Sequence, residues 1–285
     1  MEENVKVTVV MPCYNQGKYV NKAVNSVLNQ TFQNFEIIIV NDGSTDEETN
    51  KILNNFKRPK TKVLHINNQG PSVARNIAIQ EARGEYILPL DADDTIEPTY
   101  MEKAVKILEN NDNVGIVCCN WRTISKLGVF RKITTPKFNY KFPEHLNFRS
   151  KSCFPVTSFF RKVDWGKTGG FNKNMLYGME DYDFWLSIIE LDKKIYHIPE
   201  VLFNYNRVFK SRDTSMTIED QKISYFTVFQ NHKELYLNNI ETILNNSVEI
   251  SLNNIRIKSL NKRLILLIIL TYVFVFLCLV LKGIL

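Results

Sequence analysis

From Val7 to Cys119 the chain alternates short β-branched apolar runs with stretches of helical period, and few folds accept that alternation. Val7-Thr-Val-Val-Met11, Phe35-Glu-Ile-Ile-Ile-Val40, Lys62-Val-Leu-His-Ile66, Tyr86-Ile-Leu-Pro-Leu90 and Val114-Gly-Ile-Val-Cys-Cys119 read as five strands. Between them, Lys18–Leu28 places Val20, Ala23, Val24, Val27 and Leu28 on one helical face. Ser44-Thr-Asp-Glu47 matches a capping box and predicts a helix reaching about Phe56. Pro71 suits the first turn of a helix ending at Gly84, and Pro98 opens another. Single helices between strands imply right-handed parallel crossovers, so the fold class is α/β with a doubly wound, mostly parallel sheet. The regularity stops near Asn120. Trp121–Arg161 mixes aromatics, Pro and basic residues and reads as hairpin and loop. A helical signal returns at Glu180–Leu191, short strands follow around Ile195–Ile198 and Val201–Tyr205, and Ile218–Leu260 reads as one or two amphipathic helices.

A chain of 285 residues with 44% hydrophobic and 23% charged side chains buries a substantial core. Its net charge of +6 is spread along the chain, and no Arg-rich stripe is interleaved with aromatics, so nucleic acid is not an expected partner. The five cysteines, Cys13, Cys118, Cys119, Cys153 and Cys278, include no Cys-x-x-Cys pair and read as reduced apolar side chains. Met1–Val5 is polar and acidic, and the first apolar run is too short for the core of a signal peptide.

The C-terminus has a different character. The 18 residues from Leu264 to Leu281 contain no charge, at the lower edge of the ~17–25 residues a spanning helix needs. Arg256, Lys258, Lys262 and Arg263 precede the run, which puts the upstream side on the cytoplasmic face. The expected organisation is a catalytic domain over 1–216, an amphipathic helical extension over 217–262, and a membrane-anchoring or transmembrane helix over 263–285.

The residues that carry chemistry cluster at strand ends. Leu90-Asp-Ala-Asp-Asp94 lies directly behind an apolar strand and delivers three carboxylates to the edge where open α/β sheets bind ligands. Such a concentration of negative charge repels itself unless a cation or a metal-bound polyphosphate sits within it. The first strand ends in Met11-Pro-Cys-Tyr-Asn-Gln-Gly17 and the second in Val40-Asn-Asp-Gly-Ser-Thr-Asp46, both expected on that same edge. Asp42 can accept hydrogen bonds from a base or a ribose, and Tyr14 offers a ring face or a hydroxyl. The third tip, Asn67-Asn-Gln-Gly-Pro-Ser72, leads to Arg75, a planar fork suited to a diphosphate. Glu180-Asp-Tyr-Asp183 opens a helix whose dipole favours ionised carboxylates. The four histidines, His65, His145, His197 and His232, show no metal-ligand spacing and are expected to be structural or exposed.

In order along the chain, Val10-Met-Pro-Cys-Tyr-Asn15, Ile39-Val-Asn-Asp-Gly-Ser-Thr-Asp46, Gly70-Pro-Ser-Val-Ala-Arg-Asn76, Asp91-Ala-Asp-Asp94 and Gly169-Gly-Phe171 with Glu180-Asp-Tyr-Asp183 resemble the motifs of the family 2 glycosyltransferases, over about Lys6–Met216. The resemblance implies a GT-A fold and inverting transfer of a sugar from a nucleotide-sugar donor, with Mg²⁺ or Mn²⁺ bridging the Asp-x-Asp motif and the donor diphosphate. By position it makes Asp93 the metal ligand and Asp91 a contact to the ribose or base side of the donor. Pro12, Tyr14, Asn15, Asp42, Asn68 and Arg75 complete the donor pocket. Asp181 takes the place of the general base, with Glu180 its neighbour and second candidate. The chain departs from the family after the base helix: Tyr205-Asn-Arg-Val-Phe-Lys-Ser-Arg212 lacks the histidine that joins the metal site in many relatives, leaving Arg207, Lys210 or Arg212 to neutralise the diphosphate.

These readings converge on a glycosyltransferase held at the cytoplasmic face of the cell membrane by its C-terminal helix. It would move a sugar, expected from UDP, to a hydroxyl of a lipid-linked or polysaccharide acceptor in cell-surface glycan synthesis. Transfer to a polyprenyl phosphate, and a non-catalytic scaffold that binds a nucleotide sugar, are the alternatives. A sugar nucleotidyltransferase is disfavoured because no Gly-rich basic loop follows the first strand.

Overall fold

In the computed structural model the described residues are 5–125, 130–135, 155–206 and 216–245, with Val248 and Leu252. The order of elements is β1 (Val7–Cys13), α1 (Gly17–Leu28), β2 (Phe35–Asp42), α2 (Glu47–Asn54), β3 (Thr61–Ile66), α3 (Pro71–Glu81), β4 (Tyr86–Pro89), β5 (Thr95–Ile96), α4 (Tyr100–Asn110), β6 (Val114–Ile124), β7 (Phe130–Thr134), β8 (Phe159–Arg161), α5 (Lys162–Thr168), α6 (Glu180–Ile189), β9 (Lys194–Asn206), α7 (Ile218–Asn231) and α8 (Lys233–Asn238).

One sheet runs β3-β2-β1-β4-β8-β6-β9-β5, with β7 added to β6. β1 pairs parallel with β2 and β4, and β2 parallel with β3, which brings the ends of four strands to one edge. Both faces are covered, and the strands show why they had to be apolar throughout. In β2, Ile37 and Ile39 enter one core with α1 and α4, while Ile38 and Val40 enter the other with α3 and α6. β1 and β4 divide in the same way, Val9 and Leu88 against Val10 and Ile87. The α3 side uses small residues, Ala74 and Ala78, close to the sheet, and an aromatic group of Phe160, Phe171, Phe184 and Trp185 under α6. This is the α/β architecture expected.

Several local expectations changed. The helix after β2 is not opened by a Ser44–Glu47 box. Its cap is Asp46, whose Oδ2 accepts from the Thr49 N–H at 2.8 Å. The Ser44 hydroxyl is instead taken by the Asn15 N–H. β6 does not lie beside β4: β8, antiparallel to both, sits between them. The two short strands near residues 195–205 are one bent strand, β9. Its register to β6 jumps from Cys119↔Ile198 to Asn120↔Val201, so Pro199 and Glu200 are extruded as a bulge. The anticipated hairpin exists, pairing Trp121 with Thr134. The helix after Pro71 ends at Glu81, because Ala82 is extended at φ −66°, ψ 135°.

The expected location at the cytoplasmic face of the membrane, held by a C-terminal helix, is corrected. Among the described residues no helix is long and apolar enough to cross a membrane. The longest of them, α7, has 14 residues and carries Glu219, Asp220 and Lys222, against about 20 apolar residues for a span. The run Leu264–Leu281 lies outside the described residues, as do His145, Arg207, Lys210 and Arg212.

Candidate active site

The parallel register of β1, β2 and β4 puts Tyr14, Asp42 and the Asp91–Asp94 turn along one edge, and β3 adds Asn68. The tips are stapled to each other. Asn15, at φ 55°, donates its N–H to Ser44 Oγ at 3.0 Å, and its Oδ1 accepts from the N–H groups of Thr45 and Asp46 at 2.8 and 2.9 Å. Asp42 is buried and its carboxylate receives two backbone donors, Gln69 N–H at 2.8 Å and Gly70 N–H at 2.9 Å. The Asn68 amide donates to the Asp42 carbonyl at 3.0 Å. Gly43 makes this closeness possible: its φ is +62°, and a Cβ there would stand 2.4 Å from the Asn68 nitrogen. Pro12 lies within β1 opposite Val40, and Tyr14 is 44% exposed, its ring turned out of the core.

Arg75 is the centre of the site. It is 3% exposed, one turn inside α3. Nη2 donates to Asp91 Oδ1 at 2.7 Å and Nη1 to Glu180 Oε1 at 3.0 Å, and the guanidinium stands 5.5 Å from the centre of the Phe171 ring. Burial works against its charge, but the two carboxylates outweigh burial and hold it protonated. One guanidinium thus joins the end of β4 to the start of α6. Asp181 follows Glu180 in that first turn, with its Oδ1 accepting from the Tyr182 N–H at 2.8 Å.

The remaining carboxylates of the turn differ from each other. Burial, and then the charge of Asp91, push the Asp93 carboxyl up to about 7, against smaller opposing hydrogen bonds from its own backbone and the Gln16 side chain. Asp94 is fully buried and driven well above the carboxylate range by burial and its two acidic neighbours, with the Asn206 N–H opposing at 2.7 Å. Asn206 also donates its side-chain amide to the Asp93 carbonyl at 2.8 Å. The end of β9 therefore clamps the acidic turn from outside. Gln16 and Asn206 were not singled out in the sequence. Gln16 had a signal, its place at the tip of β1 beside the acidic turn, whereas nothing marked Asn206 before its strand was placed.

Among the described residues no group of three or more His, Cys, Asp and Glu side chains could hold a metal ion. A divalent ion nevertheless fits the acidic turn. Asp93 is a half-buried carboxyl that pairs with no cation among the described residues, because Arg75 is taken by Asp91. One or two carboxylates, completed by water and substrate phosphates, is an ordinary Mg²⁺ donor set. The described histidines lie away from the acidic turn: His65 stands 3.2 Å from the Asn41 amide, His197 2.8 Å from Asn120 Oδ1, and His232 is buried at the junction of α7 and α8.

Residues 8–175 match the family described as glycosyl transferase family 2. The chain is 30% identical over 249 residues to an uncharacterized glycosyltransferase of Methanocaldococcus jannaschii, covering 82% of each. It is 31% identical over 228 residues to a chondroitin synthase of Pasteurella multocida, which takes in 78% of this chain but only 22% of that longer protein. Among solved structures, Staphylococcus aureus TarS residues 1–349 in complex with UDP-GlcNAc superposes with a TM-score of 0.62 at 22% identity, over 79% of this chain and 66% of that one. At that identity the likeness is one of fold.

Proposed function

This chain belongs to glycosyl transferase family 2, and from that membership we propose that it is a metal-dependent, inverting enzyme moving a sugar from a nucleotide-sugar donor to a hydroxyl of a glycan acceptor, free or lipid-linked. The observation that carries the reading is the Arg75 bridge, which holds Asp91 of the sheet edge and Glu180 of α6 within one guanidinium of each other. The TarS complex with UDP-GlcNAc supports a UDP-sugar donor, and the chondroitin synthase supports a growing glycan as acceptor. We assign the catalytic unit to residues 1–216 and a helical extension to 217–262.

Tyr14, with Pro12 and Asn15 behind it, flanks the base, and Asp42 and Asn68 border its polar edge. Asp91 faces the ribose, set in place by Arg75. Asp93, with Asp91 beside it, would hold Mg²⁺ or Mn²⁺. Bound there, such an ion neutralises charge that develops on the departing diphosphate. Asp181 accepts the proton of the attacking hydroxyl, a role worth about 10²–10⁴ in rate. The dipole at the start of α6 favours its ionised form.

Asp181→Asn is expected to lower UDP release from UDP-GlcNAc by about 10²–10⁴-fold while UDP binding persists. Undiminished turnover in that variant would remove the base from the proposal. The ion is tested without turnover. Mn²⁺ should raise the melting temperature of the wild type, since a ligand of the native state stabilises it by mass action, and should fail to do so in Asp93→Asn. An equal shift in both proteins would place the ion elsewhere.

A further inference from the structure

The helix that carries the proposed base has an unusual start. Its cap, Met179, sits in the left-handed region at φ 64°, ψ 16°, and contributes no side-chain hydrogen bond. No side-chain cap therefore seats the first turn of α6, and two charged contacts from other elements add to the aromatic packing of Phe184 and Trp185. One is Arg75 on Glu180. The other lies around the helix at Asp183, which is 3% exposed. Asp183 Oδ1 accepts from the Asn231 amide at 2.7 Å and stands 3.3 Å from His232 Nε2, close enough for an ion pair though not aligned for a hydrogen bond. His232 Nδ1 lies 2.9 Å from Glu190 Oε2, at the far end of the same helix. His232 itself is 3% exposed, at the junction of α7 and α8. A single imidazole thus spans two turns of α6, from a part of the chain beyond the 8–175 family match.

We propose that His232 is a positioning residue for glycosyl transfer: by bridging Asp183 and Glu190 it fixes the roll of α6 and so the direction in which Asp181 points. The inference rests on the reading of Asp181 as the base. Successive helical residues are turned by about 100°, so Glu180 and Asp183 lie about 60° apart on one side of α6, and Asp181 is turned about 100° from the first and about 160° from the second. The packing of Phe184 and Trp185 sets α6 against the sheet, and the two pins fix its polar side.

The bridge is complete only when both ring nitrogens carry protons, because both face carboxylates. Burial alone would lower the pKa of His232, but Asp183 and then Glu190 outweigh it and raise it above its ordinary value of 6.5. Among the described residues the other charged groups bordering the same cleft are Lys167 at the end of α5 and Lys173 before α6; α3 lines it with the uncharged Val73, Asn76, Ile77 and Gln80, and Lys233 and Glu234 follow on α8. With the folded pKa raised, the bridge is intact below about 6.5 and is lost as pH rises through the folded value.

The test uses the full chain, with UDP-GlcNAc and Mn²⁺ as probes. His232→Gln is expected to lower kcat for UDP release about 10- to 100-fold, the scale of a small misplacement of a catalytic group. KM for UDP-GlcNAc should stay within about twofold, because the donor pocket is built by other elements. The wild type should lose rate on the alkaline side, and the variant should lack that limb. Hydrogen exchange, measured with no substrate, should speed up in the first turn of α6 and not in α1 or α3. Glu190→Gln, at the solvent end of the bridge, should move the alkaline limb to lower pH even if His232→Gln does not fold. Wild-type kcat, an unmoved limb and unchanged exchange would overturn the proposal. Because exchange needs no turnover, it decides the bridge even where Asp181→Asn proves active and the base reading fails.

Discussion

Arg75 places one positive charge between two carboxylates that reach it from distant parts of the chain. Glu180 lies 105 residues away. Breaking a buried pair by deleting one partner strands the other, at a cost of about 3–5 kcal/mol. Arg75→Met should therefore destabilise the fold by at least that much in denaturant titration, and Arg75→Lys should recover only part, since an ammonium lacks the planar fork that spans both acceptors. A loss below about 1 kcal/mol would mean that the carboxylates find other partners. The acidic turn was legible in the sequence, because an apolar strand followed by Asp-x-Asp-Asp announces itself. The bridge was not. Sequence shows that Arg75 lies one turn into a helix, and nothing in it records which remote carboxylate the fold brings alongside.

At the scale of elements, the strands and helices of the first 119 residues were readable from period and turn residues except β5, Thr95–Ile96, whose two residues are too few to show a period, and the other errors are of capping and of neighbours. Ser44 and Asp46 are both acceptable caps, and what decided between them was Asn15, a residue from another strand tip, taking the Ser44 hydroxyl. β9 shows the reverse case, in which one long strand was read as two because Pro199 interrupts the pattern and the bulge absorbs it. Its last residue then does work for another element. Asn206→Ala should keep the backbone bond to Asp94 but lose the amide bond to the Asp93 carbonyl, loosening the β4–β5 turn by about 1 kcal/mol. We expect Mn²⁺ affinity, measured by calorimetry, to weaken by about five- to tenfold, with UDP affinity in the absence of metal unchanged. Equal weakening of both would show a general collapse of the pocket instead.

The described residues form two cores on the faces of one sheet, with a smaller third cluster of Tyr182, Leu186, Val228 and Tyr236 between α6 and the helices α7 and α8, and the candidate site is where the boundary of the two main cores reaches solvent. Phe160 ties α6 to the sheet: it lies on β8, fully buried, with Phe184 and Trp185 of α6 at ring-centre distances of 5.0 and 5.8 Å. Phe160→Ala should cost about 3–5 kcal/mol in denaturant unfolding, because the aromatic group around it cannot close over the vacated volume. A cost under about 1.5 kcal/mol would show that the cluster re-packs. Fold class was evident from alternation. The strand order was not, because β8 comes from a stretch with no period to read, and three residues suffice to separate β4 from β6. That placement has a bearing on synthesis. Tyr86 must wait for Arg161 before its outer side is paired. A nascent chain that has emerged only through β4 presents an open strand edge to its surroundings, the surface most prone to adhere to another chain. The α/β half is therefore closed only once β8 has been made, and until then the outer edge of β4 stays open to other chains.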